Sequence, residues 1–171
     1  MRTLSFTVSQ RKQKVKFSDG KKKLLYVLTV ILALLVSVSL CAIISIGNIE
    51  YLNQLNKPSF FIHPIIYAII SALIFIITAP SLYLSFWYER NLKINLALSF
   101  GSLLINVLFF AAIFILKNTA LSTLLILSNF VICCYYYKQL NPKALATYLY
   151  IPYLVWLIYN VIMAYSIYLL N

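Results

Sequence analysis

Three residues near the C-terminus have the types and spacing expected of a ligand-binding surface. Tyr153, Trp156 and Asn160 lie three and four residues apart, which places them on one face of a helix. Two aromatic rings beside an amide would suit a flat, apolar ligand that is oriented by one polar group. The alternative is that these side chains pack against neighbouring helices, and the spacing alone favours that alternative.

Other residue types that commonly carry chemistry are few. His63 is the only histidine, and it is either an axial ligand of haem iron or, as we favour, an interfacial side chain. Cys41, Cys133 and Cys134 have no metal-ligand spacing and are interpreted as small packing residues. The apolar segments contain neither paired carboxylates nor a nucleophile beside a base. We therefore predict no catalytic residue, no metal site and no required cofactor.

The elements that position these residues are predicted to be membrane helices. Of the 171 residues, 63% are hydrophobic and only 10% are charged, whereas soluble domains carry about 25% charged residues. A span of the hydrocarbon core takes roughly 20 apolar residues. We predict an all-α integral membrane protein, a five-transmembrane-helix bundle. Its helices are expected at about 24–46, 64–87, 94–116, 119–137 and 143–170, with one long loop, loop one, at 47–63.

The net charge of +11 is concentrated in a basic tail at residues 1–23, which holds eight of the 14 lysines and arginines. With the even-numbered loops, twelve basic residues fall on the tail side of the membrane, and only Lys57 and Lys117 fall on the other. The positive-inside rule then predicts a cytoplasmic N-terminus and an external C-terminus. We expect a bacterial cell membrane, lipid headgroups as partners of the tail, and no nucleic acid.

Helix one repeats a small residue at every fourth position. The residues are Ala33, Ser37, Cys41 and Ser45, and helix three has a shorter version in Ala97 and Gly101. Small residues let helices approach closely. Packing within the bundle is the favoured interpretation, and a homodimer interface is the alternative.

Three segments carry a resemblance to a known family. The sequence reads YLNQLNKPSF at residues 51–60, LALSF at 96–100 and PYLVW at 152–156. These segments resemble the patterns aromatic-x-x-x-Leu-x-Lys-Pro-x-Trp, Leu-x-Leu-Asn-Trp and Pro-Tyr-Leu-x-Trp. Those patterns are typical of the TspO/MBR family, also called translocator protein, peripheral-type benzodiazepine receptor or tryptophan-rich sensory protein. The resemblance covers about residues 24–171 and leaves the basic tail outside.

The resemblance implies a pocket between the helices, closed by loop one. It implies planar hydrophobic ligands, such as porphyrin, haem or sterols, and a sensory, regulatory or transport role. The implied site residues are Pro58 and Phe60 in loop one, with Ser71, Phe75, Ser99, Phe100, Tyr153, Trp156 and Asn160 lining the cavity.

Several positions depart from the family pattern. Phe60, Ser71 and Phe100 stand where the family has tryptophan, and Ser99 and Ala164 stand where it has asparagine. We therefore do not expect the porphyrin-degrading activity suggested for the family. The alternative function is a structural or regulatory membrane subunit that has lost the ligand pocket.

Overall fold

A computed structural model describes residues 24, 25, 28, 29, 31–88, 92–140 and 145–171. The predicted basic tail, residues 1–23, lies outside the described residues, and so do residues 141–144. Within them the chain is helical, with no β-strand. The helices are α1 (Ile31–Gly47), α2 (Ile49–Gln54), α3 (Pro64–Tyr88), α4 (Leu92–Phe110), α5 (Thr119–Gln139) and α6 (Leu145–Leu170). A π-helical turn, Ala111–Ile115, continues α4.

Four helices are long and apolar enough to cross a membrane. They contain the segments Pro64–Ser85, Ile94–Ile115, Thr119–Gln139 and Leu145–Leu170, and they confirm four of the five predicted spans. The described part of α1 is shorter than the roughly 20 residues that a span needs, although residues 24, 25, 28 and 29 are helical too. The fifth span stays a prediction.

Local signals explain where the helices begin. Pro64 opens α3, where its missing N–H costs no helical hydrogen bond. Between α4 and α5, Lys117 has a φ of 51°, and the Asn118 side chain caps α5 by accepting from the Leu121 amide at 2.9 Å. The short connection left between the helices predicted at 94–116 and 119–137 is therefore confirmed. The short helix α2 was not predicted, because loop one was expected to lack regular structure.

Helix α6 is central to the packing, because it lies against both α3 and α5, while α5 also packs against α4. A side chain on α6 can therefore contact residues from two different helices.

The two small-residue stripes differ in their surroundings. On α1, Ser37 is buried and the other stripe residues are half-buried, whereas the exposed side chains are large aliphatic ones such as Leu32 and Ile43. This burial favours packing of the α1 stripe within the bundle. On α4, Ala97 is exposed and a Cβ added to Gly101 would meet open space, so this shorter stripe faces outward.

Candidate ligand-binding site

An aromatic cluster links α3 to α6 near the loop-one end of the bundle. The Trp156 ring lies 4.9 Å from the Tyr67 ring and 5.1 Å from the Tyr159 ring, measured between centroids. The first pair is tilted by 41° and the second is nearly parallel at 20°. Each such pair contributes about 0.5–1.5 kcal/mol beyond the burial of apolar area. We call Tyr67, Trp156 and Tyr159 the outer cluster.

The outer cluster has one polar edge. The Tyr67 hydroxyl donates to Asn160 Oδ1 at 2.7 Å, and Asn160 Nδ2 donates to the Trp156 carbonyl at 2.8 Å. An amide nitrogen carries two hydrogens, so one Asn160 N–H is left for another acceptor. Ser71 Oγ is buried near the Tyr67 hydroxyl without a hydrogen bond of good geometry. This edge can therefore meet a hydroxyl or carbonyl group on a ligand.

Loop one covers the outer cluster through backbone hydrogen bonds. The Tyr159 hydroxyl donates to the Phe60 carbonyl at 3.5 Å and accepts from the Ile62 amide at 3.3 Å. Between these two residues, Phe61 packs with Tyr67 and Tyr159 against a buried group of Leu55, Met163 and Ile167.

The predicted ligand-binding residue Phe60 lies in loop one, and its role stays a prediction. Its side chain is 45% exposed, and the neighbouring Phe61 supplies the packed ring instead. The physical reason is a turn in which the Phe61 amide donates to the Pro58 carbonyl at 3.0 Å. Pro58 is half-buried and contributes to this turn rather than a ring contact.

Two asparagines fasten loop one to the end of α6. The Asn56 amide donates to Asn171 Oδ1 at 2.9 Å, and Asn171 Nδ2 donates to the Asn56 carbonyl at 3.1 Å. Asn56 Nδ2 also donates to the Leu170 carbonyl at 3.2 Å. These three bonds, which we call the clasp, hold the loop against the helix that carries Trp156 and Asn160.

Two other predicted residues, Phe75 and Tyr153, belong to a second aromatic group deeper in the bundle. Their ring centroids are 6.0 Å apart. The group extends from Tyr153 to Tyr150 at 5.5 Å and on to Tyr136 of α5 at 5.0 Å. We call these four residues the inner cluster. The predicted face of Tyr153, Trp156 and Asn160 is therefore divided between two clusters.

The inner cluster lies beside buried polar side chains from α4 and α5. Cys133 Sγ is 3.3 Å from Ser102 Oγ and 3.7 Å from Asn129 Oδ1, and Cys133 belongs to the same buried core as Tyr136, Tyr150 and Tyr153. Cys133 is fully buried, as a packing residue should be.

The two predicted residues of α4 are Ser99 and Phe100, and neither is a member of the outer or the inner cluster. Ser99 is buried, and its Oγ has no hydrogen-bond partner; Phe100 is half-buried. His63 is exposed, and its Nδ1 accepts from the Ile65 amide at 3.4 Å at the start of α3; its interpretation as an interfacial side chain stays a prediction.

The sequence pattern of the TspO/MBR family matches residues 27–170, which is most of the chain. The chain belongs to the TspO/MBR family. This result confirms the resemblance based on the segments at 51–60, 96–100 and 152–156, and it agrees with an integral membrane protein. The comparison with curated proteins finds no match.

The position of Asn160 on α6 can be compared with Ala164, the position at which the family pattern has an asparagine. Ala164, which stands where the family has asparagine, is 1% exposed, and its carbonyl accepts from Thr123 Oγ1 at 3.1 Å. Asn160 supplies an amide four residues earlier, about 6 Å further from the loop-one end of α6. Asn160 thus places an amide on α6, and this amide is hydrogen-bonded to Tyr67 of α3.

Tyr67 is the site residue that sequence reasoning missed. It lies four residues before Ser71 and eight before Phe75, and both of those were predicted to line the cavity. The three side chains repeat along one face of α3, and this spacing is the signal that could have identified it.

Proposed function

We propose that this TspO/MBR-family protein binds a planar hydrophobic ligand of the porphyrin, haem or sterol type between α3 and α6, beneath loop one. In this proposal it senses, regulates or transports that ligand and does not transform it chemically. The carrying observation is the outer cluster, whose aromatic rings adjoin the polar edge of Asn160 and Ser71. Rings of this kind give affinity, and the polar edge fixes orientation.

The residues of the outer cluster favour binding over catalysis. Tyr67 and Asn160 are hydrogen-bonded to each other, and the Tyr159 hydroxyl is hydrogen-bonded to the backbone of loop one. None of these groups is a nucleophile beside a general base, which covalent or acid–base catalysis would need. They can orient a ligand and exclude water from it.

The test uses the two tryptophans of the chain, Trp87 and Trp156. In the Trp87→Phe variant, Trp156 is the only indole, so its fluorescence reports on the outer cluster alone. Titration of the detergent-solubilised variant with protoporphyrin IX should produce saturable quenching. In the Trp156→Phe variant, the remaining Trp87 should be quenched less at the same occupancy. If the unmodified protein binds no porphyrin or sterol at all, the proposal is wrong.

One observation favours the alternative of a structural or regulatory subunit without a ligand. The rings of the outer cluster already pack against one another, and Trp156 is only 9% exposed. A ligand would have to separate rings that stabilise the bundle. A ligand that binds only the folded state raises its thermal stability. Porphyrin binding that raises the thermal stability would therefore contradict this alternative, and binding that leaves it unchanged would contradict it less.

A further inference from the structure

The distribution of charge restricts how an anionic ligand could sit in this protein. Among the described side chains near the loop-one end, the charged ones are Glu50, Lys57 and Lys117, and the outer cluster contains none. An ionised carboxylate buried without a partner is strongly unfavourable. An apolar ligand with a carboxylate would therefore keep its body in the cluster and its charged edge at loop one.

Lys57 is the cation most directly connected to the outer cluster. Its Nζ lies 5.3 Å from the centroid of the Phe61 ring. Phe61 packs against the same buried group, Leu55, Met163 and Ile167, as Tyr67 and Tyr159 do. The backbone on either side of Phe61 hydrogen-bonds the Tyr159 hydroxyl. Phe61 thus connects the Lys57 ammonium group to the loop-one segment that hydrogen-bonds Tyr159 of the outer cluster.

The Lys57 ammonium retains capacity to bind an anion. An ammonium has three donors, and the one described polar contact is with Asn53 Oδ1 at 3.4 Å. No acidic partner is described for it, and its side chain is half-buried. A hydrogen bond between two charged groups is shorter and stronger than this neutral contact.

Lys117 is the matched comparison. It lies at the same end of the bundle, and its Nζ is 5.2 Å from the centroid of the Tyr51 ring. However, Lys117 belongs to the α4–α5 turn, and the Tyr51 hydroxyl donates to its carbonyl at 3.5 Å. Neither contact involves the loop-one residues that bond Tyr159.

From these contacts we propose that Lys57 is the counter-ion for an anionic edge of the ligand. The ligand class is then an apolar body with a carboxylate or phosphate, held with its charged group at loop one. This inference rests on the proposed function. The same anion chemistry is present in a lipid headgroup, so the experiment must separate a ligand carboxylate from a lipid phosphate.

The experiment compares two probes with the same ring system, protoporphyrin IX and its uncharged dimethyl ester. Their dissociation constants are measured by fluorescence quenching in a non-ionic detergent for the parent, Lys57→Gln, Lys57→Arg and Lys117→Gln. Lys57→Gln should weaken binding of the free acid about threefold to tenfold and leave the ester unchanged. Lys57→Arg should restore binding of the acid, and Lys117→Gln should affect neither probe. Added salt should reduce the effect of Lys57→Gln.

Several results would overturn the inference. One is equal weakening of both probes by Lys57→Gln, and another is a larger effect of Lys117→Gln on the acid. If Lys57→Gln changes the affinity for the acid only in nanodiscs that contain anionic lipid, and not in non-ionic detergent, a headgroup is the anion at Lys57 and the ligand assignment is wrong. Ester binding with no effect of Lys57→Gln on the acid refutes the inference alone, whereas failure of the parent to bind either probe refutes the proposed function as well.

Discussion

The Tyr67–Asn160 hydrogen bond supports a quantitative prediction about stability. Tyr67→Phe removes one hydroxyl and keeps the ring that contacts Trp156. Asn160 Oδ1 would then lose its donor, which now lies 2.7 Å away. Because Asn160 is only 4% exposed, water could not easily replace that donor. A buried polar group left without its partner costs about 1–3 kcal/mol, and hydrogen bonds between membrane helices average about 0.6 with a maximum of about 1.7. We expect a loss of roughly 1–1.7 kcal/mol in the free energy of unfolding.

The assay is reversible unfolding in mixed micelles with increasing denaturing detergent, followed by tryptophan fluorescence and far-ultraviolet circular dichroism. Tyr165→Phe is the matched control, because Tyr165 lies on α6 with its side chain 51% exposed. It should change the free energy of unfolding by less than about 0.5 kcal/mol.

A double-mutant cycle with Asn160→Ala isolates the pair. If the two side chains stabilise each other, the double variant should be less destabilised than the sum of the single variants. Equal effects of Tyr67→Phe and Tyr165→Phe, together with additivity in the cycle, would show that the hydrogen bond does not contribute.

Three further predictions concern ligand binding, loop one and orientation. Trp156→Ala should weaken porphyrin binding tenfold or more, since about 1.4 kcal/mol corresponds to that factor, whereas Trp156→Phe should do less harm; a folded Trp156→Ala variant with the parent's affinity would contradict this. Asn171→Ala removes the two side-chain hydrogen bonds between Asn171 and Asn56, so stopped-flow mixing should show faster porphyrin association and dissociation; unchanged rates would show that the clasp does not control access. A cysteine placed in the basic tail should resist an impermeant thiol reagent added outside intact cells, and one placed after α6 should be labelled; the reverse pattern would invert the predicted orientation.

The spans could be predicted because lipid imposes a length on each apolar segment. Backbone groups must be satisfied inside the segment, which favours helices, and the local signals at Pro64 and Asn118 explain why α3 and α5 begin at the predicted residues 64 and 119. The π-helical end of α4 could not be predicted, because an apolar run such as Ala111–Ile115 reads the same in either helix type.

The site was harder to predict because its contacts are long-range. Tyr67 and Asn160 are 93 positions apart, and a tyrosine near a helix end resembles any residue of an interfacial aromatic belt. The choice between Phe60 and Phe61 depends on the turn at Pro58, which composition and family pattern do not reveal. Helix α2 forms where Leu55 becomes buried against α6, and that burial exists only in the folded bundle.

The uncharged interior of the described helices has an electrical consequence. The charged residues at described positions, Glu50, Lys57, Lys93, Lys117 and Lys138, lie in loop one, in a turn or near a helix end. Moving one elementary charge through the membrane potential involves about 2.3 kcal/mol per 100 mV, so rearrangement of these helices would carry no gating charge of their own. A ligand with two ionised carboxylates that crossed the bilayer would account for the whole voltage dependence, about 4.6 kcal/mol per 100 mV. An inside-negative potential would then drive such an anionic ligand outward. The free energy of moving an uncharged ligand across the membrane would not depend on the potential.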